Sequence, residues 1–287
     1  MPPDAVDAAD AAGAERHSGT DVAPVEPVGY EVVSQVATLT LNRPDTMNSL
    51  DTAAKDALLA VIERAAADAS VRCVVITGSG DRAFCVGQDL REHAERLASE
   101  PLEDVWATVK AHFSPIARGI ATMRKPVIAA INGAAAGAGM AIALACDWRV
   151  AADNATFTTA FTGVGLSCDT GSSWTLPRLV GRGKAMELLL WPRSVTAAEA
   201  LEIGLVNWVF PGERLADEVT DMASRLAAGP TLAFAAVKEA VHYAATHSFD
   251  EALDRESQLM ARTGGSTDHR GAVEAFMAKQ KPTFEGR

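Results

Sequence analysis

The stretch PVIAAINGAAAGAGMAIALACD, residues 126–147, limits the fold more than any other part of the chain. It begins as a short apolar run, breaks at Asn132-Gly133, passes through alanines and glycines, and ends in GMAIALACD, a run of helix formers. An apolar run of that length, bounded by turn residues, reads as a strand buried on both faces, as in parallel sheets. Nothing larger than alanine stands between Gly133 and Gly139, so the helix that follows can lie directly on backbone. Its first amides have no partner inside the helix and carry the positive end of its dipole. Such a turn suits an oxygen with developing negative charge. A second unit of the same build, AFCVGQDL (83–90), follows the buried strand VRCVVITG and the turn GSGD.

The remaining patterns extend this plan. YEVVSQVATLTLN (30–42) alternates as a strand or hairpin does. TAAKDALLAVIERAAAD (52–68) has apolar residues at 54, 57, 58, 61, 62 and 65, the period of an amphipathic helix. Residues 102–124 read as helical with an interruption at Pro115, and 148–160 as two short strands. Beyond Leu176 the chain turns mainly helical, which makes an α/β core with a helical C-terminal portion.

Composition narrows the function. The chain has 287 residues and a net charge of −11, a balance that disfavours nucleic acid or an anionic membrane as main partner. No apolar run approaches the roughly 20 residues of a membrane span. Four cysteines, Cys73, Cys85, Cys146 and Cys168, form no CxxC pair, and the six histidines show no ligand spacing, so no metal site is expected. Residues 1–27 are acidic and Ala-rich without an apolar h-region; they read as a disordered tail rather than a leader, and the expected location is cytoplasmic. A dinucleotide reading of Gly137-Ala-Gly139 fails at Ile142, with no acid about 20 residues on.

Together, VVITGSGDRAFCVGQDL and PVIAAINGAAAGAGMAIALACDWRVAAD resemble the two signature segments of the crotonase superfamily, the enoyl-CoA hydratases and isomerases. LTLNRPDTMNSLD, FTGVGLSCDTGSSWTLPRLVGRGKAMELLL, TAAEALEIGLVNWVF and FMAKQKPTFEGR are similar to its other segments, in order, over about 28–287. The resemblance implies an α/β superhelix of repeated ββα turns over 28–200 and a helical trimerisation region over 201–287. A homotrimer or dimer of trimers follows. It implies a small-molecule acyl-CoA thioester as substrate, coenzyme A entering as part of it and no separate cofactor. The thioester oxygen would meet the backbone N–H groups of Gln88 and Ala138. Met47 with Asn48, Ala83, Val86, Gln88, Asp89 and Leu90 would line the pantetheine and adenine path. Lys279 would meet a phosphate, of a neighbouring subunit's ligand, or stay solvated.

The hydratases of the superfamily carry two glutamates that handle water; the matching positions here are Ala141 and Phe161. One carboxylate remains in the loop facing the acyl chain, Asp169 in GLSCDTGSSW, and the resemblance is closest to the isomerase branch that works with a single Asp. One base suffices to lift a proton from one carbon and return it to another. Burial beside Phe157, Phe161 and Trp174 would raise the Asp169 pKa. The alternative is that Asp169 caps a helix. Asp89 reads as a helix cap, and Asp147 and Asp153 as structural. Gln88, bulkier than the usual Ala or Gly, is expected to narrow the acyl pocket. Cys168 is a pocket wall or a nucleophile, and His112 packs or reaches the site. Isomerisation of an enoyl-CoA is thus the first reading. An enoyl-CoA hydratase of β-oxidation is the second, and an inactive CoA- or RNA-binding homologue the third.

Overall fold

The computed structural model describes residues 26–287, so the expected tail over 1–27 falls almost wholly outside the described residues. The described chain opens with a hairpin. Strands β1 (Val28–Val33) and β2 (Val36–Leu41) pair antiparallel across Ser34 and Gln35. Their φ values of 48° and 68° give the primed turn that a two-residue hairpin needs. Helix α1 (Thr52–Ala67) follows, its first turn capped by the Asp51 carboxylate, which accepts from Ala54 N at 2.8 Å. It buries Ala54, Leu58, Ile62 and Ala65 and, in the same stripe, Lys55.

Three ββα turns build the centre. The first has β3 (Cys73–Gly78) and β4 (Ala83–Cys85), then α2 (Leu90–Ser99), α3 (Leu102–Thr108) and α4 (Ser114–Ala121). A wide π turn over Val109–Phe113 joins α3 to α4, which leaves Pro115 in the first turn of α4, where its missing N–H is tolerated. The second has β5 (Val127–Ile131), β6 (Ala134–Ala136) and α5 (Ala138–Ala145). The third has β7 (Trp148–Ala152), β8 (Thr156–Thr158) and α6 (Ser172–Leu190), bent at Gly181. Then come β9 (Val195–Thr196), α7 (Ala197–Glu202), β10 (Trp208–Phe210), α8 (Leu215–Ala227), α9 (Thr231–Ala244), α10 (Phe249–Gly264) and α11 (Thr267–Met277).

Each ββα turn lays its first strand in a sheet of order β1-β2-β3-β5-β7-β10 and its second in a sheet of order β4-β6-β8-β9. The chain advances one strand per turn, which is the superhelix the sequence led us to expect. One face of the larger sheet packs on α1, α4 and α5 around Leu39, Leu58, Ile62, Ile116 and Ile120. The other face, with Cys73, Val75, Ile128 and Val150, is covered by Leu215, Val219 and Ala223 of α8. Cover on both sides explains why β3 and β5 are apolar without alternation. The segment beyond residue 200 is not purely helical: NWVF supplies β10, parallel to β7. Among the described residues no helix is long and apolar enough to cross a membrane.

Candidate active site

Two glycine turns meet at one point. In the first, Leu50 N donates to Gly87 O at 2.7 Å and Asp89 N donates to Leu50 O at 3.0 Å. A trans peptide directs its C=O and N–H in opposite senses. With the Gly87 carbonyl held toward Leu50, the Gln88 N–H therefore faces away from it. In the second turn, Gly137 N donates to Thr158 O at 3.0 Å, and Gly137 O accepts from Ala141 N at 3.0 Å as the first bond of α5. The Ala138 N–H then projects from the open end of that helix. A Cβ placed on Gly87, whose φ is +84°, would stand 3.0 Å from Ala138 N, so the two turns touch. At Gly139 a Cβ would stand 2.1 Å from Cys85 O. Only glycine lets α5 lie this close to β4. Neither Gln88 N nor Ala138 N has a hydrogen-bond partner among the described residues.

The Gln88 side chain is held from inside the protein. Its Oε1 accepts from Lys55 Nζ at 3.2 Å, and Lys55 is fully buried. The amide is drawn inward toward α1.

Asp169 lies in the loop between Phe161 and α6, half-buried. Its carboxylate accepts from Thr170 Oγ1 at 2.7 Å, and its carbonyl from Ser172 N at 2.9 Å. Gly171 holds the N-cap position of α6 without a side-chain bond, so Asp169 is not the helix cap. Burial pushes its carboxyl above the ordinary carboxylate value, with the Thr170 hydroxyl acting the other way. No cationic side chain pairs with it among the described residues. The loop starts close to the turns, because Thr158, three residues before Phe161, accepts from Gly137 N. Phe161 is buried there, and Ala141 is buried one turn into α5. Neither position offers a carboxyl group.

The other acids are committed elsewhere. Asp89 accepts from Arg43 Nη1 at 3.0 Å and Ser49 Oγ at 3.1 Å, and caps α2 through Arg91 N and Glu92 N. Burial opposes its charge, but these bonds hold its carboxyl below the usual range. Asp147 accepts from Val127 N at 2.8 Å and Lys238 Nζ at 2.6 Å. Asp153 accepts from Gly212 N at 3.2 Å. His112 has Nδ1 3.0 Å from Thr108 Oγ1 and Nε2 3.0 Å from Asp56 Oδ1. Burial pushes the thiols of Cys73, Cys85 and Cys146 up to about 12, far from a nucleophile's value, while Cys168 stays half-buried. No cluster of His, Cys, Asp or Glu fit for a metal occurs among the described residues.

Of the residues expected along the coenzyme path, Ala83 is buried in β4, Val86 and Met47 are half-buried, and Leu90 is exposed. Asn48 is buried and donates to Ser79 O and Ala83 O, so it locks the loop. Lys279 is exposed just past α11, which packs chiefly on α10; within one chain it is not brought to the two turns. Sequence reading passed over Arg43, which donates to Ser49 O at 2.6 Å and pairs with Asp51 and Asp89, joining both sides of the first turn. It also passed over Lys55, whose signal was a cation inside an apolar stripe.

A family model described as enoyl-CoA hydratase/isomerase matches residues 31–287. The chain is 39% identical over 252 residues to 1,2-epoxyphenylacetyl-CoA isomerase of Escherichia coli K12, covering 88% of this chain and 95% of that one. It is 36% identical to crotonyl-CoA hydratase of Syntrophomonas wolfei, covering 90% and 98%. A crystal structure of an enoyl-CoA hydratase/isomerase from Mycobacterium abscessus superposes with TM-score 0.87 at 42% identity, covering 91% of this chain and all of that one. An enoyl-CoA hydratase from Bacillus anthracis gives TM-score 0.85 at 32% identity, with 91% and 100% covered.

Proposed function

This chain belongs to the enoyl-CoA hydratase/isomerase family and acts on acyl-CoA substrates, and within it we propose that the protein shifts a double bond between the β,γ and α,β positions of an enoyl-CoA. Ring-derived acyl groups fall within the same chemistry, and similarity to an isomerase of a phenylacetyl-CoA epoxide supports them. The thioester oxygen sits between the amides of Gln88 and Ala138, which stabilise the dienolate. Asp169 removes the proton at the α-carbon and returns it at the γ-carbon. A carboxyl whose charged form is disfavoured by burial is a better base for that step. Coenzyme A enters with the substrate, along Met47, Ala83, Val86, Asp89 and Leu90 and over Phe161 at the acyl end, and no other cofactor takes part. We place this work in the cytoplasm.

The observation that carries this reading is the single carboxyl of Asp169, raised by burial and paired with no cation among the described residues. Adding water needs a base for the water and an acid for the carbon, whereas 141 holds a methyl group and 161 a phenyl ring. A homotrimer or dimer of trimers completes the proposal. Exposed Val237, Phe249 and Phe276 on α9–α11 support an assembly face, and there Lys279 would meet a neighbour's CoA phosphate.

Mass analysis of products separates this from hydration, the reading that the similarity to a crotonyl-CoA hydratase favours. With a 3-enoyl-CoA we expect a product of unchanged mass, slowed about 10³-fold in Asp169→Asn. Fast addition of water to crotonyl-CoA, undiminished in Asp169→Asn, would overturn the isomerase.

A further inference from the structure

Lys55 has no packing reason to be a lysine. Its neighbours along α1, Leu58 and Ile62, show that the stripe takes aliphatic side chains, yet the Lys55 side chain is fully buried. Burial disfavours its charged form, and nearby Glu92 acts against that. Nor, among the described residues, is the charge met by a close carboxylate: the nearest oxygen, Glu92 Oε2, is 3.9 Å away and has no hydrogen-bond partner there. Nζ instead donates to Thr108 Oγ1 at 3.0 Å and Gln88 Oε1 at 3.2 Å, and it stands 5.5 Å from the centre of the Phe113 ring. Thr108 is itself held by His112, and His112 by Asp56. This chain of contacts runs from the surface of α1 to residue 88.

Resting on the proposed oxyanion role of residue 88, we infer that Lys55 is a positioning residue for the thioester-polarising turn. Its ammonium, anchored on Thr108, holds the Gln88 side chain and keeps a positive charge beside the residue whose amide meets the substrate oxygen. The main chain of the turn is already pinned on one side by Leu50 and beyond it by Asp89. The Gln88 side chain is the remaining lever on that peptide, and Lys55 grips it. In a site shielded from water a nearby fixed charge acts strongly on a developing oxyanion.

The test reads polarisation directly. Acetyl-CoA labelled with carbon-13 at the carbonyl is bound to the protein, and the thioester stretch is recorded by infrared difference spectroscopy. The wild type should show a shift to lower frequency. Lys55→Met and, separately, Gln88→Met, which keeps the backbone amide, should each lose about half or more of that shift. The double variant should lose no more than either single one, as expected of one linked device. With an enoyl-CoA substrate, kcat should fall about tenfold while KM stays within about twofold. If Lys55→Met does not fold, Lys55→Gln, which keeps a donor but removes the charge, takes its place and should lose the shift likewise, a full wild-type shift overturning the role. Singly substituted proteins that bind the probe with the full wild-type shift would overturn the positioning role and leave Lys55 a structural residue. A wild type with no carbonyl shift would sink the reading of the site itself, and this inference with it.

Discussion

Gly139→Ala puts the closeness of the two turns at risk with a single methyl group. A Cβ at this position would meet Cys85 O at 2.1 Å, Cys85 C at 2.6 Å and Cys85 Cβ at 2.8 Å. Real Cβ atoms essentially never come within 3.0 Å of another heavy atom, so α5 must withdraw from β4 by at least about 0.9 Å, the difference between 3.0 and 2.1. The obstructing atoms are mostly backbone and cannot swing aside. In an open helix the same change gains about 1 kcal/mol. Here overpacking costs about 1–3 kcal/mol, so the balance is a loss of up to about 2 kcal/mol. The helix that moves carries Ala138 N, and misplacing a catalytic group by about 1 Å lowers the rate about 10²-fold. The assay is kcat/KM with an enoyl-CoA alongside thermal melting. Gly271→Ala on α11 is the control, since nothing among the described residues lies within 4 Å of its added Cβ. It should gain about 0.5–1 kcal/mol and leave activity unchanged. Wild-type kcat/KM and melting temperature in Gly139→Ala would refute the close approach of α5 to β4 as the basis of the donor pair.

Asp169→Asn should raise stability at pH 7–8 while removing activity. The raised native pKa means that the folded protein holds this proton to higher pH than the unfolded chain does, so the group's contribution to stability falls as pH rises through that window. Asn carries no such penalty. Melting curves of the two proteins should coincide near pH 3 and separate, the variant higher, as pH rises past the ordinary carboxylate range; equal melting temperatures at pH 8 would contradict the burial of a charge at 169. Arg72→Ala should lose about 2–3 kcal/mol in urea unfolding, because the buried guanidinium donates to Thr231 Oγ1 and Phe284 O, both at 2.9 Å, and to Gly229 O. Amide exchange of Glu285 and Gly286, which donate to the Asp268 carboxylate, should accelerate with it.

Legibility in the sequence followed how local each signal was. The strand–glycine–helix units were readable because buried parallel strands, glycine turns and helix formers each leave a mark within a few residues. The short strand β6 was not, since Ala134–Ala136 has no strand preference; it forms only because β4 and β8 supply partners on either side. β10 was hidden for the same reason in NWVF, a short run that pairs with the distant β7. The side-chain direction of Gln88 depended on Lys55, thirty-three residues earlier, and no spacing rule joins the two. Asp89 as a cap was legible because its bonds are to residues two and three further on. In the sequence Asp169 read first as a base, with a helix cap as the alternative. Backbone conformation decided against the cap: Thr170 and Gly171 both take positive φ, and Gly171 holds the cap position.

A crystal structure with an unreactive acyl-CoA bound measures the central geometry directly. The expected result is a thioester oxygen about 2.7–3.1 Å from both Gln88 N and Ala138 N, with an Asp169 oxygen facing the α- and γ-carbons. An oxygen that reaches only one of the two amides, or an acyl chain that leaves Asp169 on the far side of a wall of side chains, would contradict it.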